Sequence, residues 1–358
     1  MAPTARWTKL CEDDSIRRSS QALAVAGDSA YIFGGELRPR EPVDSSVYQI
    51  STKPNQTQNP LQKISFTDQQ QQEDQTTPQP RVGHAATMLH GKIYIFSGRG
   101  GVAMAPIEEH GSFWVFDAAQ NTWSRLTPRD PDAPYPQGRS YHALTADGTT
   151  TIFLHAGCPE SGRLRDLWSF DVSERTWREL PSAPAPERGG TSMAYLDGKL
   201  YRMNGFDGKT EQGGRIDVFD VAEARWLDSI EFEPDSVKGP AARSVGCLVP
   251  VVKKQKITGK PGGLLTMFGE RDPSSLGHQG AGKMLGDVWL FDVESKSWTR
   301  LEFEVHKDKS GGEKPVPRGW FGAAPVGADA DADAVLVHGG LSESNERLGD
   351  VWLLELLV

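Results

Sequence analysis

Phe113-Trp-Val-Phe-Asp117, with Trp123 six residues beyond its aspartate, decides the fold because the pattern returns along the chain. Leu167-Trp-Ser-Phe-Asp171 leads to Trp177, Asp217-Val-Phe-Asp220 to Trp226, and Val288-Trp-Leu-Phe-Asp292 to Trp298. The Asp-to-Trp spacing is constant while the distance between repeats varies, so insertions fall in loops around a rigid unit. Upstream of these stretches, and twice more in the chain, lies an apolar run ending in glycine: Ala30 to Gly35, Ile93 to Gly98, Ile152 to Gly157, Leu200 to Gly205, Leu264 to Gly269 and Ala334 to Gly340. Short β-branched and aromatic runs bounded by glycine are buried strands. Further upstream an arginine opens a small-residue strand, at Arg18, Arg81, Arg139, Arg188, Arg243 and Arg318. His90-Gly-Lys92 and Leu196-Asp-Gly-Lys199 read as the hairpin turns between the first two strands, glycine supplying φ > 0.

Each unit therefore predicts four antiparallel strands. The six units, near residues 16–66, 81–126, 139–180, 188–230, 243–302 and 318–356, predict one all-β domain, a six-bladed β-propeller. The last unit stops at its third strand, Gly349-Asp-Val-Trp-Leu-Leu-Glu355, with no tryptophan downstream. Trp7, in Ala5-Arg-Trp-Thr-Lys-Leu10, supplies it, so the N-terminal strand (5–10) is expected to complete the last blade and fasten the ring. The first unit is the weakest, with Val47 to Ile50 as third strand and Leu61 to Phe66 as fourth. Segments 51–60 and 67–80 are expected to be mobile loops, since they lack the apolar residues to pack, 253–263 an extended hairpin loop in blade five and 329–333 a short acidic turn in blade six. The glycine pair, the third-strand Tyr or Trp and the later Trp resemble the kelch repeat over essentially the whole chain.

With 358 residues and a net charge of −9, the chain lacks the basic face that nucleic acid or an anionic membrane requires. No apolar run approaches the ~20 residues needed to span a bilayer, and the N-terminus lacks a signal peptide's apolar core. Cys11, Cys158 and Cys247 have neither disulfide nor zinc spacing. The expectation is a cytoplasmic monomer with free thiols.

Strand direction alternates, so the loops between second and third strands emerge on one face, together with the links between blades. That face gathers Glu36 to Arg40, Arg99 to His110, Cys158 to Arg163, Phe206 to Gly214, Glu270 to Gly282 and Leu341 to Arg347. The six repeat arginines, expected at the mouth of the channel, suit an anion site; alternatively they pair with acids such as Asp166, Asp287 and Asp350 and bridge blades. His84 and His142 recur with the repeat and read as packing or hydrogen-bonding residues. The loop Gly269-Glu-Arg-Asp-Pro-Ser-Ser-Leu-Gly-His-Gln-Gly-Ala-Gly282 does not recur. Glu270, Asp272 and His278 offer oxygen and imidazole ligands for Fe(II), Mn(II) or Zn(II), and in an extended segment Glu270 and Asp272 point the same way. The alternative is a polar loop tied by Asp-Pro turn chemistry.

This loop resembles the fifth-blade loop of the plant specifier proteins, kelch propellers that divert glucosinolate aglycones to nitriles, epithionitriles or thiocyanates. Their iron motif is Glu-x-x-x-Asp-x-x-x-His. Glu270 and His278 match its ends, Ser274 stands in the middle, and Asp272 is a substitute displaced by two residues. Arg99 falls where that family places a substrate-binding arginine. The resemblance implies Fe(2+) at Glu270, Asp272, Ser274 and His278, with Arg99, Arg81, Arg243 and Glu36 around an anionic substrate and Arg99, Glu270 and His278 catalytic. It implies lyase chemistry on a sulfated thiohydroximate or a related sulfur-containing small molecule. A non-catalytic scaffold gripping a protein partner through the same face is the alternative. The galactose-oxidase type of copper site lacks its Tyr-Cys ligand set here, and a sialate-epimerase type of activity stays open.

Overall fold

Successive hairpins fold into radial sheets because each repeat alternates short apolar strands with tight turns. The computed structural model describes residues 4–53, 61–66, 76–251, 263–303, 314–327 and 334–357; of the expected loops, 54–60, 67–75, 253–262 and 329–333 lie outside them, 76–80 carries no strand, and Ser51 and Gly263 belong to strands instead. Blade one pairs Ala22–Ala26, Ser29–Phe33, Val47–Ser51 and Leu61–Ile64 in that order. Blades two and three repeat the order with Ala85–Leu89 to Thr122–Leu126 and Ala143–Ala146 to Thr176–Leu180. Blades four and five follow, from Ser192–Leu196 to Arg225–Trp226 and from Cys247–Val251 to Ser297–Arg300. In blade six Gly322–Val326, Ala334–His338 and Asp350–Leu357 are joined by Thr4–Glu12, so the N-terminal strand closes the ring as expected. Beyond it Glu302–Phe303, leaving blade five, runs parallel to Thr4 and Ala5 and clamps the closing strand from outside. Among the described residues the only helices are two 3₁₀ turns, Asp14–Ile16 and Gly277–Gln279, and no helix is long and apolar enough to cross a membrane.

Blades are mortared by aromatic side chains. Trp177 of blade three stacks on Phe113 of blade two at 5.4 Å and donates its indole N–H to the Gly111 carbonyl. Trp7 does the same work in blade six, stacking on Phe268 of blade five at 5.9 Å and meeting Trp352 edge-on.

Around the axis the chain is joined by backbone alone. The residue two past each repeat arginine (Ser20, Gly83, Tyr141, Gly190, Val245, Trp320) has φ between 47° and 62°. Each donates its N–H to the carbonyl of its counterpart in the preceding blade, and Ser20 donates to Trp320, which makes a closed ring of six hydrogen bonds. A second ring lies just outside it. There the last glycine of each second strand (Gly35, Gly98, Gly157, Gly205, Gly269, Gly340) donates to the arginine carbonyl of the next blade. These glycines have φ of 91° to 106°, and a Cβ at Gly269 would lie 2.7 Å from the Ser244 carbonyl oxygen, so a side chain fits neither the torsion nor the space.

The repeat arginines correct one expectation: they are buried inside the blades rather than set around the channel mouth. Each sends an N–H to the carbonyl that precedes the last glycine. In four blades the guanidinium forks onto an acid of its own blade: Arg81 on Glu109, Arg139 on Asp166, Arg243 on Asp287 and Arg318 on Asp350. The same acids accept the indole N–H of Trp114, Trp168, Trp289 and Trp352. The pairs with Asp166, Asp287 and Asp350 are those foreseen, but they brace a blade internally instead of bridging two. Blade four departs, since Asp217 pairs with Arg202 and leaves Arg188 with carbonyl partners at Asn204 and Pro186. Burial, then the Arg202 charge, pushes Arg188 down to about 9.

Candidate functional site

One consequence of the inner hydrogen-bonded ring is a floor. Tyr141, Val245 and Trp320 cover it with side chains, and above it the loop face encloses a cavity of about 450 Å³. Its wall follows a rule of position. The residue after the last glycine of each repeat (Glu36, Arg99, Cys158, Phe206, Glu270, Leu341) lines the cavity, one from each blade. Each is held there by an antiparallel pairing to the residue after the repeat arginine, as in Ser19 with Glu36 or Ser244 with Glu270.

The wall is charged unevenly. Arg347 of blade six donates to Glu36 at 3.3 Å, both largely buried. Arg99 spans to blade three, giving its Nε to Ser140 Oγ (3.0 Å) and its terminal nitrogens to the carbonyls of Met104 (3.0 Å) and Pro159 (2.6 Å). Three of its five donors are thus committed to protein, so it shapes the wall. Arg163 lies over the ring of Phe206 at 5.0 Å, and its buried Nε has no hydrogen-bond partner. Blades four and five add two carboxyl groups to the wall. Glu211 accepts from Ser244 Oγ at 3.2 Å through Oε1, while its Oε2 is buried and unpartnered. Glu270, 5% exposed, accepts the Gly282 N–H at 2.7 Å. Burial, and then the neighbouring Glu270, pushes Glu211 up to about 8; burial pushes Glu270 up to about 7. Cys158 is held as the neutral thiol by burial, which disfavours a nucleophilic role.

Of the residues singled out from sequence, Glu36, Arg99, Glu270 and Ser274 line this cavity. Arg81 and Arg243 do not: both are fully buried and forked onto Glu109 and Asp287. Asp272 also departs from expectation. Its φ of 51° breaks the extended run, so the i, i+2 relation to Glu270 is lost and the carboxylate turns outward to Arg271. Ser274 Oγ accepts the Leu276 N–H, and a Cβ at Gly280 would sit 2.3 Å from it. The backbone of His278 lies in the turn Gly277–Gln279; its side chain is outside the described residues. Among the described residues no three His, Cys, Asp or Glu side chains are grouped to hold a metal ion. His84 and His142 are buried edge-on against Phe33 and Phe96 with no partner at either ring nitrogen.

Arg163, Glu211, Cys158, Phe206 and Leu341 were not among the residues singled out as site candidates. For the last three the signal is the position after the terminal glycine. Arg163 and Glu211 have no such marker.

The raised carboxyls have a stability consequence. An unfolded glutamate ionises near 4.5, whereas folded Glu211 keeps its proton until about 8. Across that window the unfolded chain sheds a proton that the folded chain holds, so Glu211 lowers stability as pH rises. Glu211→Gln is therefore expected to stabilise the protein by about 2 kcal/mol near pH 8.5 and not at all near pH 4. Urea midpoints at the two pH values check this; an equal effect at both removes the account.

A family model for the KLHDC2/KLHL20/DRC7 kelch-repeats domain matches residues 20–263. The chain is 26% identical to N-(sulfonatooxy)prop-2-enimidothioate sulfolyase of Thlaspi arvense, over 94% of this chain and 91% of that protein. It is also 26% identical to human Host cell factor 2, covering 70% of this chain but 30% of the relative. Identity to Kelch domain-containing protein 10 of Xenopus tropicalis is 21%, over 99% of this chain and 64% of the relative. The solved structure of YjhT superposes with a TM-score of 0.67 at 15% identity, covering 98% of this chain and 99% of that one, which is a likeness of fold. Repeat, closed ring and family match agree: the chain belongs to the kelch-repeat family of β-propellers, and it resembles the specifier proteins within it.

Proposed function

We propose that the protein is a specifier-like lyase acting in the loop-face cavity on a sulfated thiohydroximate or a related sulfur-containing small molecule. The observation that carries the reading is the cavity itself, sized for a small molecule and holding an arginine donor without a protein partner. The near full-length relation to a sulfolyase supports it. In nitrile formation by such a reaction the N–O bond breaks with its electron pair leaving on sulfate, while the C–S bonding pair becomes the new C–N π bond and the sulfur departs. Arg163, with the uncommitted donors of Arg99, meets the charge that develops on the sulfate oxygens. Phe206 holds the guanidinium flat, which orients its donors before the substrate arrives. Glu211 and Glu270, both kept protonated up to about neutrality, can donate hydrogen bonds to the sulfur at the other end.

Fe(II) belongs to the specifier reading, but the described residues do not fit it as a ligand set. Glu270 supplies one carboxylate, Asp272 faces outward, and the Ser274 hydroxyl is engaged with the loop backbone. No step above depends on the metal. Elemental analysis of anaerobically purified protein, wild type beside His278→Ala, tests it directly.

The reaction is tested by adding the protein to a glucosinolate digest containing myrosinase. The wild type is expected to shift the product ratio, and Arg163→Ala to reduce the shift by at least about tenfold. An unchanged ratio with wild type removes the reading.

A second reading, a scaffold for a protein partner, is favoured by a different observation. The large apolar side chains exposed among the described residues (Leu37, Val102, Val237, Leu276 and Val316) all lie on loops and links of this same face. A stoichiometric partner recovered by wild type and lost with Leu276→Asp, with Arg163→Ala harmless, selects it.

A further inference from the structure

Three side chains of the cavity wall, of opposite type, each have a buried polar atom without a partner. Arg163 Nε and Arg347 Nε are buried donors without an acceptor, Arg347 being already ion-paired to Glu36, and Glu211 Oε2 is a buried carboxyl oxygen without a hydrogen-bond partner. A buried polar group without a partner is costly, so such groups in a cavity mark what a ligand brings. Arg163 and Glu211 are linked through one residue. The Arg163 guanidinium lies on the ring of Phe206, and the backbone of Phe206 pairs with that of Glu211. Arg99 and Arg163 come from blades two and three, and Glu211 and Glu270 from blades four and five. Glu36, Arg40, Glu160 and Arg347 also line the cavity, Arg347 paired with Glu36, so the wall mixes both signs, and Arg163 and Glu211 stand on the neighbouring blades three and four.

We infer that the cavity selects molecules carrying an oxyanion head at one end and a hydroxyl or cation a few bonds away, with Arg163 taking the head and Glu211 the far group. This rests on the anion-binding reading above and adds a specificity residue to it. Ser244 sets the direction of Glu211 by donating to Oε1, which leaves Oε2 for the ligand. A ligand with an anionic head and a purely apolar far end leaves Glu211 Oε2 as it is in the empty cavity. A hydroxyl there accepts a hydrogen bond from the proton that Glu211 carries near neutrality, and an ammonium displaces that proton, so that the carboxyl ionises as the ligand binds.

The test uses three sulfonates of equal length that differ only at the far end: taurine (ammonium), isethionate (hydroxyl) and ethanesulfonate (methyl), titrated calorimetrically into the full-length protein. Taurine is expected to bind at least about tenfold tighter than ethanesulfonate, with isethionate between them. Glu211→Gln is expected to shrink that preference to within about threefold while changing ethanesulfonate affinity by less than about twofold. Ser244→Ala, which keeps the carboxyl but frees its orientation, is expected to weaken the preference in the same direction and carries the test if the first variant does not fold. Equal binding of the three sulfonates, or a preference that survives in Glu211→Gln, overturns the inference and leaves the anion-binding reading standing. Binding of none of them overturns both.

Discussion

Asp350→Ala is expected to destabilise the protein by about 3–5 kcal/mol, because it strands a buried charge. Arg318 is wholly buried, and Asp350 receives both of its terminal nitrogens, at 2.6 and 2.8 Å, together with the Trp352 indole at 2.7 Å. Alanine leaves the guanidinium without a counter-charge and the indole without an acceptor, in the blade that also closes the ring. Burial alone would raise the Asp350 carboxyl, but the Arg318 hydrogen bonds and charge hold it below the usual carboxylate range. Its contribution is thus present above the unfolded pKa and lost as pH falls through the folded one. Blade four supplies the control. Arg188 has no acid of its own and is already pushed down to about 9, so Arg188→Met is expected to cost less than about 1 kcal/mol. Urea midpoints at constant slope measure both. Equal costs for the two would mean that the fork onto the acid contributes nothing.

Removing the closing strand is the other large effect. Residues 4–12 pair along the whole of Asp350–Leu357, and Trp7 packs against Phe268, Phe303 and Trp352. Trp7→Ala alone is expected to cost about 3–5 kcal/mol, the range for removing a packed tryptophan. Deleting residues 1–12 also uncovers a long apolar strand edge carrying Val351, Leu353 and Leu354, a template for pairing with other chains. The truncated protein is expected to elute as multimers in size exclusion and to lose its cooperative melt. A truncated monomer that melts at the wild-type temperature would show that three strands suffice in blade six.

The fold was legible because its signals repeat. Six glycine-terminated runs and a constant Asp-to-Trp spacing define the blade, and Trp7 is recognisable as the member missing from the last one. The acids were partly legible: Asp166, Asp287 and Asp350 each stand two residues before a third-strand Trp, whose indole they accept. Their assignment within a blade rather than between blades depends on strand order in space, which spacing does not carry. The site was half legible for the same reason. Glu36, Arg99 and Glu270 occupy a repeated position, whereas Arg163 and Glu211 project from loops of different length and meet only through the packing of Phe206. Asp272 was misread because a single left-handed residue reverses the alternation on which the i, i+2 argument depends.

The inner ring of six hydrogen bonds has an electrical consequence. Peptide dipoles arranged head to tail along a helix add up, but around a closed circle their vectors cancel. The floor beneath the cavity therefore has no positive or negative end to offer a ligand, unlike the N-terminus of a helix. Any potential a ligand meets there is written by the wall and loop side chains alone. Exchanging a few of those residues can then reverse the sign of the chamber without disturbing the circle that supports it.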